Sequence, residues 1–286
     1  MARGLGKGAY KPFTPILDAA GVPLAHHPDE LARFLKLGKS DQDGEDAIQL
    51  RVASFGSWPA PVDWDDDGDF DLLIGAFDGS LFLRTNVGSR PAPAFSPTSL
   101  RIEADGKPVK TTGHACPVAA DWDGDGRFDL VLGSADGSVV WHRNEGAAKA
   151  PKFGPARPLV SAKAKHKFLT QYLSPGEEPA PGVRAQIAVE DYDGDGRLDL
   201  LLGDYSDIVE LRALSAEERR AFDALLAERE RLGSAAAAAK DDSPDQQKAY
   251  ADMEKIEARQ KEFHRNPKAK ERRASFVWLY RRVATE

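Results

Sequence analysis

The sequence predicts an all-β fold built from repeated units, with an antiparallel α-helical hairpin inserted near its C-terminal end. One acidic nonapeptide, running Asp63 to Asp71, recurs at Asp121 to Asp129 and at Asp191 to Asp199. Each copy leads straight into a short apolar run: Leu72-Leu73-Ile74-Gly75, Leu130-Val131-Leu132-Gly133 and Leu200-Leu201-Leu202-Gly203. Such runs suit strands buried on both faces. Between 214 and 273 the pattern changes to two helical stripes with capping residues at their starts.

The nonapeptide carries the chemistry. Acids stand at positions 1, 3, 5 and 9 and glycine at position 6, where the backbone has to reverse. Position 12 is Ile74, Leu132 or Leu202, so the distant bidentate glutamate of an EF-hand loop is missing. The site is therefore strand–loop–strand. Carboxylates this close repel one another. A hard divalent cation with a large, adaptable oxygen shell removes the repulsion, and Ca²⁺ suits it better than Mg²⁺, which demands a tight octahedron. The expected side-chain ligands are Asp63, Asp65, Asp67 and Asp71; Asp121, Asp123, Asp125 and Asp129; and Asp191, Asp193, Asp195 and Asp199. Main-chain carbonyls of Asp69, Arg127 and Arg197 complete the three shells, for up to three Ca²⁺ ions. The competing reading is an acidic, solvated turn without metal. The first loop has two further acids, Asp66 and Asp69, so it either binds more strongly or is more disordered when empty.

Charge counting favours the cation. The chain of 286 residues holds 46 acids and 39 bases, a net −7. Fourteen of those acids lie in the three loops with only two arginines, and the remainder is net basic. The acidity resides in the loops.

The nonapeptides and their Leu-Gly-x-x-Asp-Gly sequel resemble the FG-GAP/VCBS repeat family, which includes the calcium-binding blades of integrin α-chain propellers. The resemblance implies a β-propeller-like array of four-stranded blades across 11–212, completed by 274–283. It also implies an extracellular or cell-surface location and a ligand, protein or carbohydrate, held by inter-strand loops. Residues 1–10 contain no apolar leader stretch.

Along the chain, Phe-x-Pro recurs at Phe13-Thr14-Pro15, Phe95-Ser96-Pro97 and Phe153-Gly154-Pro155. Hairpin-like phrases follow the first two, at 19–23 and 104–108. Unequal spacing places loop insertions near 25–50 and 162–182. Asp41-Gln42-Asp43-Gly44, within the first, reads as solvated. Asp78-Gly79 and Asp136-Gly137 read as two-residue hairpin turns. The third unit lacks that turn; helical sequence intervenes, and Ser275-Phe276-Val277-Trp278 then resembles Ser138-Val139-Val140-Trp141 and returns to the same sheet. The helical insertion spans 214–273. Capping boxes at Ser215-Ala216-Glu217-Glu218 and Ser243-Pro244-Asp245-Gln246 open its two helices, the first ending near Gly233 and the second before Pro267. Phe222, Leu225, Leu226 and Leu232 form one apolar stripe, and Tyr250, Met253, Ile256 and Phe263 the other. The hairpin either covers only itself or docks a partner. Self-association is expected through this arm or by ring completion.

No catalytic set appears. His26, His27, His114, His142, His166 and His264 show no zinc spacing, and no phosphate-binding glycine loop is present. Cys116 is the lone cysteine, which rules out an intrachain disulfide, and it reads as a small core residue. The basic cluster Lys268, Lys270, Arg272, Arg273, Arg281 and Arg282 reads as a solvated face, not a nucleic-acid site. No run is long enough to span a membrane. The function expected is a non-enzymatic calcium-binding module; the alternative is a polysaccharide-active enzyme or its accessory domain.

Overall fold

A computed structural model of the chain describes residues 16–21, 24, 57–147, 149–163, 169–240, 242–266 and 272–283. They are mostly β, with four sheets and two long helices. The chain divides into two compact units: Met1–Leu169, Pro181–Tyr205 and Ser275–Glu286 form one, Thr170–Ala180 and Ser206–Ala274 the other. Phe13, the 25–50 stretch and Asp41-Gln42-Asp43-Gly44 lie outside the described residues.

In the first unit, β1 (Ser57–Val62), β2 (Asp71–Ala76), β3 (Leu81–Arg84) and β4 (Leu100–Arg101) form one four-stranded sheet. A two-stranded ribbon, β5 (Glu103–Ala104) and β6 (Lys107–Pro108), follows. The next sheet has β7 (Cys116–Ala120), β8 (Asp129–Gly133), β9 (Val139–His142) and β10 (Arg157–Val160) in the same order. Each fourth strand comes just after a Phe-x-Pro. Arg84 Nη1 donates to the Ser96 carbonyl at 2.7 Å, and at the same register His142 Nδ1 lies 2.9 Å from the Gly154 carbonyl. One buried side chain thus ties the third strand to the marker in both sheets.

The apolar runs are buried on both faces, as their sequence requires. Leu130 and Leu132 pack with Leu73, Leu81 and Leu83 of the preceding sheet, while Val131 packs with Ile187, Leu200 and Leu202 of the following one. Full burial of each such side chain stabilises by about 1.5–3 kcal/mol. Glycine ends the first two runs because the next sheet comes close: a Cβ on Gly75 would sit 1.9 Å from the Ala115 carbonyl oxygen, and one on Gly133 2.3 Å from that of Ala185.

The Asp-Gly turns differ from the two-residue form. Gly79 N–H donates to Ala76 O and Gly137 N–H to Ser134 O, with positive φ at the glycines but not at Asp78 or Asp136. This is a three-residue connection with glycine in the left-handed position. Asp78 and Asp136 instead accept from the amides of Ser80 and Ser138.

The third sheet contains β12 (Val183–Glu190), the first part of β13 (Asp199–Glu210) and, in the third-strand position, β15 (Val277–Tyr280). Gly203 pairs with Val277 as Gly133 pairs with Val139. Asp204 does the work of the absent turn, accepting from the amides of Gly182 and Phe276 and from the Trp278 indole at 2.5, 2.8 and 2.8 Å.

In the second unit, part of the loop expected at 162–182 is a strand. β11 (Thr170–Leu173) pairs in parallel with residues 207–210 of β13, and β14 (Arg272–Ala274) pairs with its other edge. β13 runs past Gly203 because Ser206 and Ile208 alternate inward, which is strand periodicity where the other units have their Asp-Gly turn. Helix α1 (Ala216–Ala238) extends beyond Gly233, since the alanines after it are the strongest helix formers and outweigh about 1 kcal/mol for one glycine. Helix α2 (Pro244–Gln260) ends in a short 3₁₀ turn, Lys261–Phe263. Ser215 and Glu218 complete a reciprocal capping box. The second box is only half made: Ser243 Oγ accepts from Gln246 N–H, but Gln246 Oε1 reaches back to the Asp242 amide. Phe222 is fully buried against Tyr172, Leu211 and Phe263, whereas Tyr250 is exposed and Ala249 takes the inward place.

Candidate metal centres

All three acidic loops close a hairpin in one register. The residue before position 1 pairs with position 9: Val62 with Asp71, Ala120 with Asp129 and Glu190 with Asp199. The first aspartate folds the loop from inside. Asp63 accepts from the amides of Asp67 and Gly68, Asp121 from Asp125 and Gly126, and Asp191 from Gly194, Asp195 and Gly196, all at 2.8–3.1 Å. Position 5 then accepts from position 7, through Asp67, Asp125 and Asp195. Positions 4 and 6 both take positive φ. Gly124 and Gly194 do so at position 4, and Asp66 does it at φ 56° in the first loop, a conformation aspartate tolerates better than most residues.

This folding brings three carboxylates together in every copy. Ligand oxygens of Asp63, Asp65 and Asp67, of Asp121, Asp123 and Asp125, and of Asp191, Asp193 and Asp195 lie within 4.8 Å of one another. Slight desolvation, reinforced by the neighbouring charges of Asp67, Asp63 and Asp69, pushes the largely exposed Asp65 carboxyl above its ordinary range. In the second loop Asp123 Oδ1 is buried with no hydrogen-bond partner. Clustered hard oxygens, one of them unsatisfied, are a donor set that fits Ca²⁺.

Position 9 has a further task. Asp71, Asp129 and Asp199 are buried, and each holds the end of the third strand: one oxygen accepts the amide of Asn86 or Asn144 at 2.6 Å, or of Arg282 at 2.8 Å. The other oxygen of Asp71 and Asp199 accepts the position-2 amide, from Trp64 and Tyr192. Burial raises the Asp71 and Asp129 carboxyls, and the acids of their own loops add to it. At position 7, the Asp69 side chain accepts from Asn86 Nδ2 at 2.7 Å, whereas Arg127 and Arg197 turn their guanidiniums onto Asp125 and Asp195.

Asn86 and Asn144 were not singled out from the sequence. Each buries a carboxamide whose oxygen accepts two amides of the following turn, Gly88 and Ala94 or Gly146 and Lys152. The signal was the repeated Asn-x-Gly after the third strand, Asn86-Val87-Gly88 and Asn144-Glu145-Gly146.

Other candidates recede. The Cys116 thiol is held up by burial, which leaves it a poor nucleophile. The neutral form of His142 is favoured by its burial. Of the basic cluster, Arg282 stacks on Trp122, Arg281 faces Asp193 and Arg273 faces Asp207; Lys268 and Lys270 lie outside the described residues. Among the described residues no helix is long and apolar enough to cross a membrane.

A search of curated proteins finds no matching sequence. The family model described as FG-GAP-like repeat matches residues 121–202, from the first aspartate of the second loop into the apolar run after the third. The match ends on the strand that the third loop feeds, so its repeat contains the geometry described above: this chain carries an FG-GAP-like repeat.

Proposed function

We propose that the protein is a calcium-stabilised, non-enzymatic repeat module of a secreted or cell-surface protein. Its three larger β-sheets act as consecutive propeller-type blades, and its inter-strand loops bind a protein or glycan ligand. The carrying observation is the threefold recurrence of one carboxylate triplet on one hairpin register. In this reading positions 1, 3 and 5, the carbonyls of Asp69, Arg127 and Arg197, and position 9 hold the ion. The cation would supply charge neutralisation and cross-link the two inner strands of each blade. The ion has a structural role, since it is held where strands meet.

Calorimetric titration with Ca²⁺ tests this directly. Binding with a stoichiometry of up to three ions is expected, and Asp125→Ala should remove about one ion per chain while the others persist. Absence of binding heat at millimolar calcium would contradict the reading.

A further inference from the structure

The three loops share a donor set but not their counter-charges. In the second loop Arg127 Nη2 lies 2.5 Å from Asp125 Oδ2, and Arg143 reaches Asp123 Oδ2 at 2.6 Å and Asp125 Oδ2 at 2.9 Å. In the third, Arg197 pairs with Asp195, and Arg281 Nε lies 3.9 Å from Asp193 Oδ2. Among the described residues no basic side chain pairs with an acid of the first loop. The register explains the difference. Thr85, Arg143 and Arg281 each precede the residue whose amide binds the position-9 aspartate, so Thr85 stands where the other loops place an arginine. Asp69 likewise stands where they have Arg127 and Arg197.

We infer that these arginines are built-in counter-ions that compete with the cation, so that the three centres bind calcium in graded fashion, the first tightest and the second weakest. The inference rests on the calcium reading and adds an order to it. A guanidinium is always charged and offers several donors to a carboxylate. In the second loop it engages the two aspartates that a cation needs at positions 3 and 5, and both side chains are less than one-fifth exposed. A cation entering there has to break those pairs. In the third loop the aspartates are more exposed and one contact is long, so solvent already screens the pairs. Among the described residues the first loop has no arginine to displace, and a bound cation would supply the positive charge that its acids lack there. Loops two and three thus keep their folded shape at low calcium, and loop one depends on the ion.

Single-centre proteins test the order. D123N with D193N leaves the first loop to be titrated with Ca²⁺ by calorimetry, and D65N with D193N leaves the second. The first-loop protein should bind at least about tenfold more tightly than the second-loop protein. In the second-loop background R143T should tighten binding by about tenfold, while R143K, which keeps the charge, should stay within about threefold of its parent. The converse change, T85R, should weaken the first centre. Equal affinities at the two centres, or tightening by R143K as large as by R143T, would overturn the grading while leaving calcium binding in place. Absence of heat from the unsubstituted chain would overturn the calcium reading itself, and the grading with it. Unchanged far-ultraviolet circular dichroism in each variant keeps misfolding apart from lost affinity.

Discussion

At the scale of single residues, the ninth aspartate of each loop and the glycine four residues later place the strands that carry the acids. Asp71, Asp129 and Asp199 join a loop to the end of a third strand, and Gly75 and Gly133 let the next sheet's backbone come within contact. Gly133→Ala should therefore destabilise by about 1–3 kcal/mol, the usual cost of overpacking, read as a lower denaturation midpoint in urea. Gly203→Ala is the internal control, because its added Cβ meets nothing closer than 3.6 Å, and it should change the midpoint little. Equal losses would show that strand conformation, not sheet contact, selects glycine. The acids and these glycines were legible in the sequence because their spacing repeats. Asn86 and Asn144 carried only the short Asn-x-Gly repeat, and the paired roles of Arg84 and His142 carried no local pattern, since their partners lie in a neighbouring turn.

At the scale of elements, periodicity identified the strands around each loop, and tertiary pairing decided the remainder. β13 continues beyond its glycine because residues 170–173 and 272–274 supply partners on both edges, which no local signal encodes. The end of α1 was misplaced because one glycine was weighed above the alanines that follow it. Its start was read correctly, since a capping box is local chemistry. That box makes a pH prediction. Arg212, then the Ser215 amide and hydroxyl, lower Glu218 from 4.5 to about 2. A depressed carboxyl stabilises the folded state fully above its unfolded pKa of 4.5, and the contribution is lost as pH falls through about 2. Glu218→Gln should thus lower the helical melting temperature at neutral pH, and the gap to the unsubstituted protein should close by pH 2. A gap that persists at that pH would mean that packing, not the ionised cap, was lost.

At the scale of the whole molecule, fourteen acids gathered into three tight bends leave the rest of the chain net basic, and the fold keeps those bends folded by one repeated scheme. Internal amides and arginines offset part of the repulsion; among the described residues, the first loop has the amides but no arginine partner. On the graded reading proposed above, a bound cation would add stability unevenly. By mass action one site at a hundredfold excess over its Kd contributes about 2.7 kcal/mol, or roughly 5–10 °C in a unit of this size. The most direct measurement is thermal unfolding of the full chain, followed by circular dichroism, in millimolar calcium and again in excess chelator. The melting temperature should be higher by at least that margin in calcium and should recover when calcium is returned after chelation. Superimposable curves in the two buffers would contradict this.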